Sequence, residues 1–89
     1  MRGIEARFTG SVQGVGFRWT TKRLAEAAGL GGWVRNNPDG SVTLAVRGES
    51  EAIECLLNEL GTRLGPAVAS VESREIPAGT VPEGFEIVR

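Results

Sequence analysis

The sequence contains no histidine and no tyrosine, and it has a single cysteine (Cys55) and a single aspartate (Asp39). Without histidine, a Ser-His-Asp triad, a Cys-His pair and a histidine-based zinc site are all excluded. One cysteine cannot form an internal disulfide, which fits a reducing compartment. An enzyme made from this chain would therefore need a reaction that requires little proton transfer.

Long apolar runs and an excess of basic residues are also missing. No segment behind Met1 resembles a signal peptide or a membrane span, so we expect a cytoplasmic protein without membrane partners. The formal net charge is −1, whereas nucleic-acid binders usually carry an excess of Lys and Arg, so we expect no nucleic-acid partner. The 89 residues suit one domain, 1–89, with one modest core.

The apolar residues predict five short strands separated by two helices. Alternating apolar and polar residues predict strands over 4–9, 32–36, 42–46, 67–76 and 85–88. In the fourth strand we expect Ala69 and Val71 to face the core. The turn chemistry of residues 37–40 joins the second and third strands into a hairpin.

Two segments have the spacing of amphipathic helices. The first runs from Phe17 to Ala28, and the second follows Ser50, a predicted N-cap, and ends before Gly65. An antiparallel sheet with both helices on one face gives these helices a shared apolar surface. The order predicts an α+β fold, a ferredoxin-like α/β sandwich with the βαββαβ order and a short C-terminal strand.

The glycine-rich segment between the first strand and the first helix has the features of an anion site. Glycines let successive backbone N–H groups converge, and the positive end of a helix dipole favours negative charge. The first half of the helix carries Arg18, Lys22 and Arg23, and its first acidic residue is Glu26. Cations there oppose the dipole, and a bound anion would reverse this penalty for Arg18.

Other interpretations of these residues stay open at this point. The segment lacks the Gly-Lys-Ser/Thr of a Walker P-loop and the third glycine of a dinucleotide fingerprint, and a simple tight turn would also use its glycines. Asn36, at the end of the second strand, is typical of turn chemistry. Trp19 and Trp33 are expected to be packing residues, and Cys55 a half-buried filler beside the apolar stripe of the second helix.

Two signatures resemble those of the acylphosphatase family. Residues 10–18, Gly-Ser-Val-Gln-Gly-Val-Gly-Phe-Arg, resemble the pattern G-x-V-Q-G-V-x-F-R. Residues 32–48 resemble G-W-V-x-N-x-x-x-G-x-V-x-x-x-x-x-G. Weaker similarity continues to residue 87. The resemblance also extends to a domain of hydrogenase-maturation proteins, but the end of the chain at Arg89 favours the stand-alone enzyme.

The resemblance implies a ferredoxin-like fold and hydrolysis of the carboxyl–phosphate bond of acyl phosphates. It implies that Arg18 and Asn36 are catalytic, and that the substrate phosphate is held by Gln13, Gly14, Val15, Gly16, Phe17 and Arg18. The acyl phosphate is the expected partner, with inorganic phosphate as product or inhibitor. We expect a monomer that needs no metal and no cofactor.

Two rival functions fit parts of the sequence. The first is a non-catalytic regulatory domain of the same fold that binds phosphate or another anion. Asn36 argues against it, because binding alone needs no amide that orients water. The second is an RNA-binding domain with the same element order, but residues 42–48 contain none of the aromatic residues on which such domains stack bases.

Overall fold

The computed structural model describes residues 1–14 and 16–88. In chain order the elements are β1 (Arg2–Gly10), α1 (Phe17–Ala27), β2 (Gly31–Asn36), β3 (Val42–Gly48), α2 (Ser50–Leu64), β4 (Val68–Ile76) and β5 (Phe85–Val88). One turn of 3₁₀-helix, Gly65–Ala67, follows α2, and a second, Ala78–Thr80, lies between β4 and β5. No helix in the described part of the chain is long and apolar enough to cross a membrane.

The five strands form one sheet in the order β4-β1-β3-β2-β5. The pairs β1–β3, β1–β4 and β2–β3 are antiparallel, and β5 adds to β2 in parallel. The sheet is therefore mixed at one edge. With two helices packed on it, this arrangement confirms the predicted ferredoxin-like sandwich.

The core lies between one face of the sheet and the two helices. Ile4, Ala6 and Phe8 of β1 pair with Val46, Leu44 and Val42 of β3, and all six side chains are buried. From the helices, α1 buries Phe17, Thr21 and Ala25, and α2 buries Ile53, Leu56 and Leu60. The rings of Phe8 and Phe17 meet edge to face, 4.9 Å apart. This contact fixes the start of α1 over the end of β1.

The other face of the sheet, called the open face below, carries charged side chains. The alternation of side chains along paired strands places the polar residues Glu5, Arg7, Arg35, Thr43 and Arg74 there, together with Trp33 and Ala45. Arg35 also lies over the ring of Trp33 at 5.1 Å, a cation–π contact. Hydrophobic and charged residues are thus segregated by strand alternation, as the sequence pattern predicts.

The expected burial of Ala69 and Val71 is wrong. Val71 pairs with Phe8, so it points to the helix-covered face, as predicted. However, β4 is an edge strand, with a neighbouring strand on one side only. Ala69 is exposed, and Val71 remains 48% exposed. A side chain that points to the helix-covered face of the sheet stays exposed where no helix packs over it.

The predicted N-cap of α2 is also wrong by one residue. Glu49 occupies the cap position with an extended backbone and makes no capping side-chain hydrogen bond. Ser50 is the first helical residue, and its hydroxyl accepts a hydrogen bond from the guanidinium of Arg2. Because Arg2 belongs to β1, this hydrogen bond links the start of α2 to β1. The Ser50 oxygen is used in this link and does not cap the helix.

Candidate active site

The segment between β1 and α1 is a tight loop fixed by two glycines and one buried valine. Gly14 and Gly16 have φ angles of 82° and 76°, in the left-handed region that glycine enters without steric penalty. A Cβ at either position would meet nothing within 4 Å, so glycine is required by conformation rather than by space. Val12 is fully buried and anchors the loop in the core.

The start of α1 offers backbone donors to this loop. The residue at the N-cap is Gly16, which has no side chain to cap the helix, and the first turn contains no acidic residue. The Thr20 N–H donates to the Gly16 carbonyl at 2.9 Å. The N–H groups of Phe17, Arg18 and Trp19 precede this first helical bond, so the helix itself provides them with no acceptor. Such an end attracts anions.

The loop, the start of α1 and the end of β2 enclose one small cleft. Its lining residues are Val12, Gly14, Gly16, Phe17, Arg18, Trp19 and Asn36, and its volume is about 180 Å³. One water takes a share of roughly 30 Å³ in the liquid, so the cleft has room for a phosphoryl group and a water. It brings together Arg18 and Asn36, the two predicted catalytic residues.

Arg18 is half-buried in this cleft and forms no ion pair with the described residues. Among residues 1–14 and 16–88, its guanidinium makes no hydrogen bond and no ion pair. The guanidinium group carries five N–H donors in a planar fork that suits a phosphate. Arg18 can therefore bind an anion without first giving up a carboxylate partner.

Asn36 lines the same cleft and has a buried side-chain oxygen. It pairs with Val42 at the last position of β2, which places its side chain on the helix-covered face. The Oδ1 atom is shielded from solvent and has no hydrogen-bond partner within the described residues. An unpaired buried acceptor costs about 1–3 kcal/mol. The structure carries this cost in a residue that lines the cleft.

Gln13 lies differently from the predicted phosphate ligands. Its side-chain Nε2 donates to the carbonyl oxygens of Asn37 and Ser41, at 2.8 and 3.0 Å. The side chain therefore joins the loop to the turn between β2 and β3, and Gln13 does not line the cleft. Val15, another predicted phosphate-binding residue, lies outside the described residues. Sequence reasoning missed the role of Gln13 because its partners are carbonyl groups distant in the chain.

The turn between β2 and β3 is itself held by a polar network. Asp39 Oδ1 accepts hydrogen bonds from the Ser41 hydroxyl at 2.6 Å and from the Ser41 N–H at 3.0 Å. Arg7 Nη2 lies 2.6 Å from Asp39 Oδ2. The two bonds from Ser41, and then the charge and hydrogen bond of Arg7, hold the pKa of the Asp39 carboxyl well below its usual range. The turn that follows Asn36 is thus held by Ser41 from within the turn and by Arg7 from β1.

Two other predicted placements require correction. Cys55 is exposed on α2 rather than half-buried, because it lies beside the apolar stripe and not on it. Trp19 is 66% exposed and lines the cleft, so it is not a packing residue. It follows Arg18 on α1, and the buried face of this helix belongs to Phe17, Thr21 and Ala25. Trp33 is half-buried.

Comparison with known proteins gives the same result for sequence and for structure. The acylphosphatase family model matches residues 4–87. An acylphosphatase of Mesorhizobium japonicum is 47% identical over 90 residues, which cover 98% of this chain and 94% of the relative. One from Rhizobium meliloti is 44% identical, with 99% and 94% covered.

Among solved structures, the acylphosphatase from Bacillus subtilis covers both chains completely, with a TM-score of 0.90 and 26% identity. A full-length HypF protein is similar over 99% of this chain but only 12% of its own length, with a TM-score of 0.84 and 28% identity. The family match spans almost the whole described chain and includes both signatures. The chain belongs to the acylphosphatase family, enzymes that hydrolyse acyl phosphates.

Proposed function

We propose that Arg18 and the loop N–H groups hold the phosphoryl group of the substrate while Asn36 positions the attacking water. One observation carries this proposal: within the described residues, an arginine that forms no ion pair and an asparagine whose buried amide oxygen has no partner line the same cleft at a helix N-terminus. Binding an anion needs only the first of these features. The second is the feature expected of a site that also orients a nucleophile.

The phosphoryl oxygens lie against the start of α1 in this mechanism. The N–H groups near Gly16 donate to these oxygens, and the guanidinium of Arg18 donates to two of them. In phosphoryl transfer the transition state is loose, with charge spread over these oxygens, so fixed donors stabilise it electrostatically. Arg18 and the loop therefore act on both binding and turnover.

The leaving group explains why histidine is dispensable. The conjugate acid of a carboxylate has a pKa of about 4, so the carboxylate departs with the electrons of the broken P–O bond and needs no general acid. The water oxygen, held by its hydrogen bond to Asn36 Oδ1, forms the new bond to phosphorus. Its proton passes to a phosphate oxygen. The products are the free carboxylate and inorganic phosphate.

The same residues also determine which inhibitors and cofactors we expect. Inorganic phosphate has the charge and oxygens that Arg18 recognises, so it acts as a competitive inhibitor as well as a product. All the proposed roles belong to arginine, asparagine and backbone groups, so the reaction proceeds without a metal or a cofactor. We propose a monomeric, cytoplasmic enzyme made of one domain.

The experiment is hydrolysis of benzoyl phosphate by the purified protein with a metal chelator present. The wild type and the Arg23→Ala variant are expected to be equally active, since Arg23 lies on α1 outside the cleft. Arg18→Ala is expected to raise KM and to lower kcat by about 10²-fold or more. A wild-type protein that binds phosphate near Arg18 but hydrolyses nothing would instead be the anion-binding regulatory domain.

A further inference from the structure

Trp19 is the largest exposed side chain next to the cleft. It lies on α1 immediately after Arg18 and is 66% exposed, although tryptophan is usually well buried in folded proteins. It contributes nothing to the core, which takes Phe17 and Thr21 from this part of α1. An exposed aromatic ring beside a polar cleft is a common contact surface for ligands.

A second cleft adjoins the one already described. It is lined by Arg18, Trp19, Lys22, Glu86 and Ile87, and its volume is about 400 Å³. The two clefts share Arg18 and Trp19. A group attached to a phosphate held by Arg18 can therefore extend into the second cleft, along the side chain of Trp19.

We propose that this second cleft, the acyl cleft, binds the acyl group of the substrate, and that Trp19 selects aromatic and bulky apolar acyl groups over small polar ones. This inference rests on the function proposed for Arg18 and Asn36. Trp19 supplies one apolar wall from α1. Ile87, which packs against the core, supplies the opposite wall from β5.

The size of the acyl cleft fits this class of substrate. The acyl cleft is open at the surface and has a volume of about 400 Å³, so an aromatic acyl group can lie in it without displacing protein atoms. An acetyl or carbamoyl group attached to the same phosphate has less apolar surface to place against the ring of Trp19. The cleft is open at the surface, so longer acyl groups are also accommodated.

Three of the five residues that line the acyl cleft are charged: Arg18, Lys22 and Glu86. Lys22 Nζ lies 3.8 Å from a carboxylate oxygen of Glu26 and 3.5 Å from the Phe85 carbonyl oxygen, so its charge already has partners. Glu86 lines the cleft and, within residues 1–14 and 16–88, forms no ion pair. Trp19 and Ile87 are therefore the two apolar side chains on which an acyl group can pack in this cleft.

Trp19 would act on binding and not on the reaction step. Its contact is with the acyl body, which changes little as the P–O bond breaks, so the contact is equally strong in the ground state and the transition state. Loss of such uniform binding raises KM and leaves kcat unchanged. This signature separates Trp19 from Arg18, whose loss lowers kcat as well.

The test compares benzoyl phosphate with acetyl phosphate in the wild type, Trp19→Ala and Trp19→Phe. An aromatic contact of this kind corresponds to about a fivefold to tenfold effect. Trp19→Ala is expected to raise KM for benzoyl phosphate by that factor, with kcat and the values for acetyl phosphate unchanged. Trp19→Phe restores most of the preference, and Trp33→Phe, on the opposite side of the sheet, leaves it intact.

Binding of phenylphosphonate and methylphosphonate, measured by calorimetry, gives a readout that needs no turnover. The wild type is expected to bind the phenyl compound several-fold more tightly, and Trp19→Ala is expected to bind both equally. Equal losses for benzoyl and acetyl phosphate, or an unchanged phenyl preference in Trp19→Ala, would overturn the acyl cleft and leave the roles of Arg18 and Asn36 intact. A wild type that hydrolyses neither substrate would instead overturn the catalytic roles of Arg18 and Asn36. The affinities for the two phosphonates would still show whether Trp19 contacts the phenyl group.

Discussion

The arginines of the open face and the arginines of α1 differ in what they contact. On the open face, Arg7 Nη1 lies 3.6 Å from a Glu72 carboxylate oxygen, in addition to its close contact with Asp39. Arg74 Nη2 lies 3.0 Å from a carboxylate oxygen of Glu5. These pairs are exposed, and each contributes between 0 and about 1 kcal/mol to stability. The positive charges of Arg7 and Arg74 are thus neutralised within the protein, whereas Arg35, on the same face, contacts the Trp33 ring and Asn37 Oδ1.

On α1 the two arginines remain available to bind an anion. Within the described residues, Arg18 and Arg23 form no ion pair, whereas Lys22 has Glu26 one turn away. The two regions use the same side chain in opposite ways, because a paired arginine must lose its partner before it can bind a substrate anion. Arg18 forms no ion pair within the described residues and lies next to free backbone N–H donors. These two features together distinguish it, as a candidate catalytic arginine, from the arginines that only stabilise the fold.

The largest expected effect is that of Arg18→Lys. Lysine keeps the charge but replaces the planar fork by a single point of donation, so we expect kcat/KM to fall by about 10³-fold, close to the loss in Arg18→Ala. The matched change on the open face, Arg74→Lys, is expected to leave kcat/KM unchanged, because Arg74 only pairs with Glu5. Steady-state kinetics with benzoyl phosphate measure both. Equal effects of the two changes would remove the distinction between the two regions.

The second effect concerns the partner of Arg18 in the cleft. Asn36→Ala removes the proposed water acceptor and is expected to lower kcat by about 10²-fold, with a small change in KM. The inhibition constant of inorganic phosphate stays near its wild-type value, since Arg18 and the loop remain. Asn58→Ala, an exposed change on α2, is the control. A folded Asn36→Ala protein with full kcat would contradict the role of Asn36.

The order of strands and helices could be predicted because it depends on local alternation of side chains. Ile4, Ala6 and Phe8 alternate with polar residues, and the structure buries all three. The edge position of β4 depends on the topology of the sheet, which no local pattern contains. For this reason the burial of Val71 was predicted wrongly while its direction was predicted correctly.

The candidate site divides in the same way. The signatures identified Arg18 and Asn36, and the glycines marked the loop between β1 and α1. The expectation that Trp19 packs in the core was wrong, because its exposure depends on which face of α1 packs on the sheet. The side chain of Gln13 was missed for a related reason: its acceptors, the carbonyl groups of Asn37 and Ser41, become neighbours only in the folded chain.

A third, smaller effect lies at the contact between the loop and the turn. Gln13→Ala removes two hydrogen bonds that hold the loop, so the N–H groups of the loop lose part of their fixed orientation. We expect kcat/KM to fall by about tenfold and the free energy of unfolding to fall by about 1 kcal/mol. Kinetics and urea denaturation measure the two quantities.

A matched variant tests whether the donor of Gln13 is what matters. Gln13→Glu keeps the length of the side chain but offers carboxylate oxygens to two carbonyl oxygens, so it is expected to lose as much activity as Gln13→Ala. The inhibition constant of phosphate is expected to rise in both variants, which a loss of stability alone would not cause. Full activity in Gln13→Glu would show that the loop is positioned by other contacts.

The smallest effect concerns Asp39, whose lowered pKa links a charged pair to stability. A carboxyl with a lower pKa in the folded state stabilises the protein above its unfolded pKa, ordinarily 3.8, and this stabilisation is lost as the pH falls through the folded value. Asp39→Asn is therefore expected to unfold at a slightly lower urea concentration than the wild type at pH 7, with less difference in high salt. The difference in urea concentration shrinks as the pH is lowered below about 4. The activity of Asp39→Asn at pH 7 is expected to change by less than about twofold, because surface changes of this kind have small effects. A difference in unfolding that is the same at pH 7 and pH 3 would mean that Asp39 holds the turn by its shape and not by its charge.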